Sequence, residues 1–175
     1  MTSFSKRLSA RVSRYLQREL RGDLNRLAFQ LVGPFERAQA RRVQDRFVGT
    51  FIGITGSVGK STATYLTAEL LATSGSVHSG LYFNTGRRSL RTLRKLKRPV
   101  DFVVQEMSGH QPGAIASATQ TIRIDAAVVT TVGLDHLTEF RTREAVAAEK
   151  AKLVHALRPD GVACLNADDP LVRAM

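Results

Sequence analysis

Apolar positions change their period along the chain. Between residues 4 and 32 they recur every three or four residues, at Leu8, Val12, Tyr15, Leu16, Leu20, Leu24, Leu27 and Leu31. That spacing predicts one long amphipathic helix. Lys6, Arg7, Arg11, Arg14, Arg18 and Arg21 take the other positions, and Gly33-Pro34 ends it. Residues 35–46 read as a second, short helix. Beyond them, near-continuous apolar runs alternate with helical stretches. Strands are predicted at 48–55, 77–83, 100–107, 124–132 and 161–166, with helices at 60–74, 112–121 and 142–157. Apolar strands separated by helices imply a parallel sheet covered on both faces. The predicted class is α/β: a three-layer, mostly parallel sheet with a phosphate loop, preceded by an N-terminal amphipathic helix. Its ligands should gather at the carboxyl ends of the strands.

The first strand runs into the stretch that carries most chemistry, Gly53-Ile-Thr-Gly-Ser-Val-Gly-Lys-Ser-Thr62. A strand, a turn through Gly53, Gly56 and Gly59, then Lys-Ser at a helix start is the order needed to cradle phosphate. Glycines let backbone N–H groups approach an anion closely, and the helix start adds a favourable dipole. The expected cradle is Gly56, Ser57, Val58, Gly59, Lys60, Ser61 and Thr62. Lys60 would neutralise the β/γ-phosphates, and the Ser61 hydroxyl would bind Mg²⁺. The strict pattern G-x-x-x-x-G-K-[ST] wants glycine at position 54, where this chain has Ile54 and an early Gly53.

The other strand ends also carry polar groups: Glu106 after 100–106, Asp135-His136 past 124–132, and Asn166-Ala-Asp-Asp169 after the last strand. Composition narrows the picture further. Residues 1–46 carry 11 Lys/Arg against 4 Asp/Glu, residues 87–98 carry 7 Lys/Arg and no acid, and the whole chain of 175 residues is +11. The remainder is slightly acidic, so the basicity is segregated away from the phosphate loop, unlike that of a nucleic-acid binder. The single cysteine, Cys164, excludes an internal disulfide and any cysteine-based metal cluster. No run approaches the roughly 18 apolar residues of a membrane span.

These residues resemble the central, ATP-binding domain of the Mur ligase family, whose relatives include folylpolyglutamate and poly-γ-glutamate synthases. The matching pieces stand in family order: Gly53–Thr62; Glu106 with Gly113-Ala-Ile115; Ala127-Val-Val-Thr-Thr-Val-Gly-Leu-Asp-His-Leu137; Glu144-Ala-Val-Ala-Ala-Glu-Lys-Ala-Lys152; and Leu165-Asn-Ala-Asp-Asp169. The early Gly53 is normal in that family. The resemblance covers about 48–170. It implies an ATP-dependent ligase that joins an amine to a carboxylate through an acyl phosphate, in cell-wall precursor or related polymer synthesis. ATP and Mg²⁺ are the implied cofactors, and a carboxylate substrate and an amine donor the implied partners. Lys60, His136 and Lys150 are then the expected catalytic residues. Ser61 and Glu106 are the expected ligands of one Mg²⁺; His136 would ligate a second, a site that Lys150, carbamylated, would also serve, with Lys152 as the alternative. Asn166 is expected near the adenine or ribose, or else in a plain turn with an Asp as helix cap. The Lys150 region also reads as an ordinary solvated charged helix face.

The expected organisation is a basic helical segment at 1–47 and an incomplete Mur-type central domain at 48–175, without the family's C-terminal domain. The 47 residues that precede the first strand are too few for the usual UDP-sugar domain; poly-γ-glutamate synthases also begin with a short segment, and that reading stays open. The basic helix either packs on its own domain, contacts a membrane surface or binds a protein partner. The expected location is cytoplasmic, with the inner face of the membrane within reach of that helix. A non-catalytic nucleotide-binding or membrane-associated subunit is the competing reading.

Overall fold

A computed structural model describes residues 34–35, 37–80, 93, 96, 98–134 and 139–175. The helix predicted at 4–32, residues 81–83, most of the basic run 87–98, and Asp135 and His136 lie outside the described residues. The chain divides into two units, 1–36 and 37–175, and everything below concerns the second. No helix among the described residues is long and apolar enough to cross a membrane.

Five strands are described: β1 (Val48–Thr55), β2 (Val77–Gly80), β3 (Val100–Glu106), β4 (Ile124–Val129) and β5 (Leu157–Leu165). The helices between them are α1 (Lys60–Leu71), α2 (Ala114–Thr119), α3 (Arg143–His155) and α4 (Pro170–Arg173). The strands form one sheet in the order β2-β3-β1-β4-β5. Every pairing is parallel, so the sheet is wholly and not merely mostly parallel. β1 is central, and its carboxyl end meets those of β3 and β4: Ile54 lies opposite Glu106, and Thr55 opposite Val129.

Period-two alternation along β1 splits the core. Phe51 faces a cluster with Val103, Ile115, Ala127 and Leu153. Ile52 and Ile54 face the opposite side, against Val104 and Ala68 of α1. Helices thus cover both faces of the sheet, which is the expected three-layer arrangement. Burying a side chain such as Phe51 completely contributes about 1.5–3 kcal/mol. Residues 37–47 are helical, as expected for the second helix. Ala40 enters the Phe51 cluster, and Gln44 bonds both ways with the Arg123 peptide, donating to its carbonyl (2.6 Å) and accepting from its N–H (2.9 Å). Arg123 also pairs with Asp45. These contacts sit at the amino end of β4, the edge opposite the glycine loop. Within the basic run, Leu93 is fully buried in the same cluster and Leu96 packs on it.

Three sequence expectations need correction. Gly53 does not turn; it lies inside β1, and a Cβ there would come 2.9 Å from both Leu153 and Met107 side chains. Its role is to let α3 and the residue after β3 pack on bare backbone. The last strand begins at Leu157, earlier than the predicted 161, through a register irregularity between Ile124 and Ala126. Arg158 crosses that irregularity to Asp125 (2.7 Å), whose other oxygen accepts from Phe51 N–H (2.7 Å). The fourth strand ends at Val129, so Thr130, Thr131 and Val132 belong to the loop.

Candidate functional site

β1 leaves the sheet at Thr55 and turns through Gly56 (φ 148°) and Gly59 (φ 81°) into α1. Both glycines hold conformations that side chains resist. No side chain caps α1 at Gly59, so the N–H groups of its first turn point forward as an anion seat. Lys60 folds back over the loop, with Nζ 3.2 Å from the Ser57 carbonyl.

The loop is held by the segment after β4. Thr130 N–H donates to the Thr55 carbonyl (3.0 Å), and Ser57 N–H to the Thr131 carbonyl (2.8 Å). Val58 N–H donates to Thr131 Oγ1 (3.2 Å), while Thr130 Oγ1 donates to the Val58 carbonyl (2.6 Å). Gly133 N–H donates to Ser57 Oγ (2.7 Å). Sequence reasoning reads Thr130 and Thr131 as strand residues or as lining the site, not as a brace for the loop. The signal for a brace was their position at a strand end facing a neighbouring glycine loop.

That brace is itself gripped. Asp169 accepts from Val132 N–H (2.7 Å), and Arg143 donates to the Val132 carbonyl from Nε (3.2 Å) and an Nη (2.8 Å). Asp169 also caps α4, accepting from Leu171 N–H (3.0 Å), as the N-cap reading expected. Asn166 spends its side chain in the same knot: Nδ2 donates to the Thr130 carbonyl (2.8 Å), and Oδ1 accepts from Asp168 N–H (3.1 Å).

The Val132 N–H, with help from Leu171, Val172 and Arg143, holds the Asp169 carboxyl below its ordinary value of 3.8, although burial opposes this. A depressed carboxylate contributes stability that is complete above the unfolded pKa and lost as pH falls through the folded one. The urea midpoint of the wild-type chain should therefore fall more between pH ~6 and ~3 than that of Asp169→Asn. Parallel acid limbs for the two proteins would remove this contribution.

Glu106 ends β3 and is 5% exposed. Its Oε2 accepts from Ser61 Oγ (2.7 Å), so the two expected metal ligands meet across 45 residues of sequence. Met107 N–H donates to the Ile54 carbonyl (2.7 Å) and fixes where β3 leaves the sheet beside β1.

α3 is capped by Thr142, which accepts from Ala145 N–H (3.2 Å), with Glu144 in its first turn and Lys152 and His155 in its last. Those charges complement the helix dipole. Lys150 is 1% exposed and Glu149 2% exposed, which overturns the solvated-face reading for both. Lys152 is different: its side chain is 41% exposed and its Nζ lies 2.5 Å from Glu149. The sequence did hold a hint. Val146, Lys150 and Leu153 fall on one helical face, so Lys150 occupies an apolar stripe. His110 is half-buried on the loop after β3. Among the described residues no three metal-binding side chains cluster.

A family profile described as Mur ligase middle domain matches residues 54–175. The UDP-N-acetylmuramoyl-tripeptide--D-alanyl-D-alanine ligase of Mycobacterium leprae (strain TN) is 40% identical over 127 residues, covering 72% of this chain and 25% of that protein. The ligase of the same name from Bacillus subtilis (strain 168) is 32% identical over 123 residues, covering 70% and 27%. Among solved structures, the MurF ligase from Thermotoga maritima in complex with ADP superposes with a TM-score of 0.72 at 29% identity, covering 81% of this chain and 33% of that one. The chain thus spans about a quarter of the length of the curated relatives it matches.

Proposed function

Because the chain belongs to the Mur ligase family, we propose that it carries the ATP-binding part of an enzyme that joins an amine to a carboxylate in peptidoglycan precursor synthesis. One observation carries the reading: the 2.7 Å contact between Ser61 and Glu106, placed where a glycine loop and two parallel strands end together. A hydroxyl and a buried carboxylate are hard oxygen donors, the set that suits Mg²⁺. The resemblance to a relative solved in complex with ADP supports nucleotide binding by this fold.

In this reading the first turn of α1 and the Gly56–Gly59 backbone receive the phosphates, and Lys60 supplies a positive charge to them. Ser61 and Glu106 would hold one Mg²⁺, and His136 would serve a second. Mg²⁺, when bound, offsets negative charge that develops as phosphate moves to the acceptor carboxylate. The Thr130–Gly133 brace keeps the loop from collapsing when no phosphate fills it. Lys150, buried on α3, takes the role of the second-metal lysine in preference to Lys152, whose side chain is 41% exposed. Asn166 contributes by shaping the nucleotide edge through Thr130. The work is cytoplasmic, where ATP is available and the lone Cys164 stays reduced.

The acceptor class is a UDP-N-acetylmuramoyl peptide and the amine a D-amino acid or dipeptide, as suggested by the names of the relatives above and of the UDP-N-acetylmuramoylalanine--D-glutamate ligase of Anaeromyxobacter dehalogenans (strain 2CP-C), 38% identical over 132 residues. The test is ADP and phosphate release by the full-length protein with Mg²⁺, supplied with UDP-muramoyl-tripeptide and D-alanyl-D-alanine, or with UDP-muramoyl-alanine and D-glutamate. Release that needs both acceptor and amine, and that falls at least about 100-fold in Lys60→Ala, is the expected result. Full turnover in Lys60→Ala, or none with any such acceptor, would overturn the proposal.

A further inference from the structure

The buried Glu149 carboxylate joins two elements that meet nowhere in sequence. Its Oε1 accepts from Ile115 N–H (2.9 Å), and its Oε2 accepts from Gly113 N–H (2.8 Å) and from Lys152 Nζ (2.5 Å). Gly113 stands at φ 83° as the N-cap of α2, with no side-chain cap of its own. The missing cap is thus supplied from α3. A Cβ on Gly109 would lie 3.1 Å from Glu149 Cγ, so the loop backbone crosses directly over this side chain. That loop leaves β3 directly after Glu106 and is wrapped around one carboxylate.

An ionised group this deep costs several kcal/mol unless its lone pairs are filled. Two backbone N–H groups and an ammonium fill them here, and two N–H groups on separate oxygens also fix the orientation of the side chain. The next residue along the helix is Lys150, 1% exposed. One side chain therefore ties the helix that bears Lys150 to the loop that follows Glu106.

We propose that Glu149 is a positioning residue that sets the separation of Glu106 and Lys150, and through it the metal–nucleotide geometry. The inference rests on the ATP–Mg²⁺ reading of the site. Groups that orient metal ligands from behind commonly change metal affinity by 10–100-fold when removed. A backbone pin of this kind should act in the same way, because the loop it holds continues directly from the end of β3 that presents Glu106.

The test uses the chain with ADP and a Mg²⁺ titration, read by calorimetry and by amide hydrogen exchange at Gly113 and Ile115. In Glu149→Gln the Mg²⁺ needed for half-saturation of ADP binding should rise about tenfold or more, with exchange at both amides faster and ADP affinity without Mg²⁺ unchanged. In the wild type, Mg²⁺ with ADP should slow exchange at both amides, whereas ADP alone should not. Faster exchange in Glu149→Gln with an unaltered Mg²⁺ requirement would reduce Glu149 to a purely structural contact. Should Glu149→Gln not fold, wild-type amides indifferent to Mg²⁺ with ADP would overturn the proposal by themselves. A wild-type chain that bound no nucleotide would instead remove the nucleotide site, and this inference with it.

Discussion

Gly56→Ala should lose several kcal/mol of stability and nucleotide binding together. A Cβ at Gly56 would stand 1.9 Å from Thr130 Oγ1 and 3.1 Å from Thr131 N. Thr130 cannot simply rotate away, because that hydroxyl holds the Val58 carbonyl at 2.6 Å and its own N–H holds the Thr55 carbonyl. Moving the threonine opens the brace, and moving Gly56 lifts the loop from it. Backbone strain in this region of φ costs about 1–3 kcal/mol, and overpacking a filled site about 1–3 kcal/mol more. Against a typical folding stability of about 5–15 kcal/mol, that is a large fraction. Gly59→Ala is the matched control. Its φ is also positive, yet nothing lies within 4 Å of a Cβ there, so only the backbone cost of about 1 kcal/mol remains. Urea denaturation of the two variants decides: equal losses would mean that the contact with Thr130 does not constrain the loop.

The second large effect concerns chemistry. Glu106→Ala should lower Mg²⁺-dependent turnover of the full-length protein at least about 100-fold. It should also abolish the Mg²⁺ enhancement of nucleotide binding, while metal-free binding survives through the loop and Lys60. Glu106 is nearly buried and its recorded side-chain partner is the Ser61 hydroxyl. Its removal leaves Ser61 without that acceptor, a cost of about 1–3 kcal/mol that a stability measurement should register separately. Calorimetry with and without Mg²⁺ separates the two effects. If Glu106→Ala retained the Mg²⁺ enhancement, the metal would have to be held elsewhere.

The candidate site was readable in parts. Lys60, Ser61 and Glu106 stand out because glycine loops and polar strand ends are local patterns, confined to a few consecutive residues. The correct edge of the sheet follows from apolar strands alternating with helices, since parallel strands collect their polar ends on one side. Reading failed where the answer depended on distant neighbours. Gly53 looked like part of the turn because a glycine five or six residues before Gly-Lys is usual there. The actual reason is that Leu153 and Met107 press on its backbone from 100 and 54 residues away. Glu149 looked like a surface charge because acids on helices mostly are, and its two amide partners lie 34 and 36 residues earlier.

The sequence by itself determined the order and type of the elements, the glycine-loop motif and the family likeness. Each is written in short-range periodicity or contiguous motifs, which survive without knowledge of what packs where. The tertiary structure decided which groups touch: Ser61 with Glu106, Gly56 with Thr130, Asp169 and Arg143 on the Val132 peptide, and Glu149 on the loop after β3. Those contacts form only once the parallel sheet brings the carboxyl ends of separate strands together. Burial is likewise a property of the surroundings, so a Lys and a Glu in one helix read as solvated until the structure encloses them.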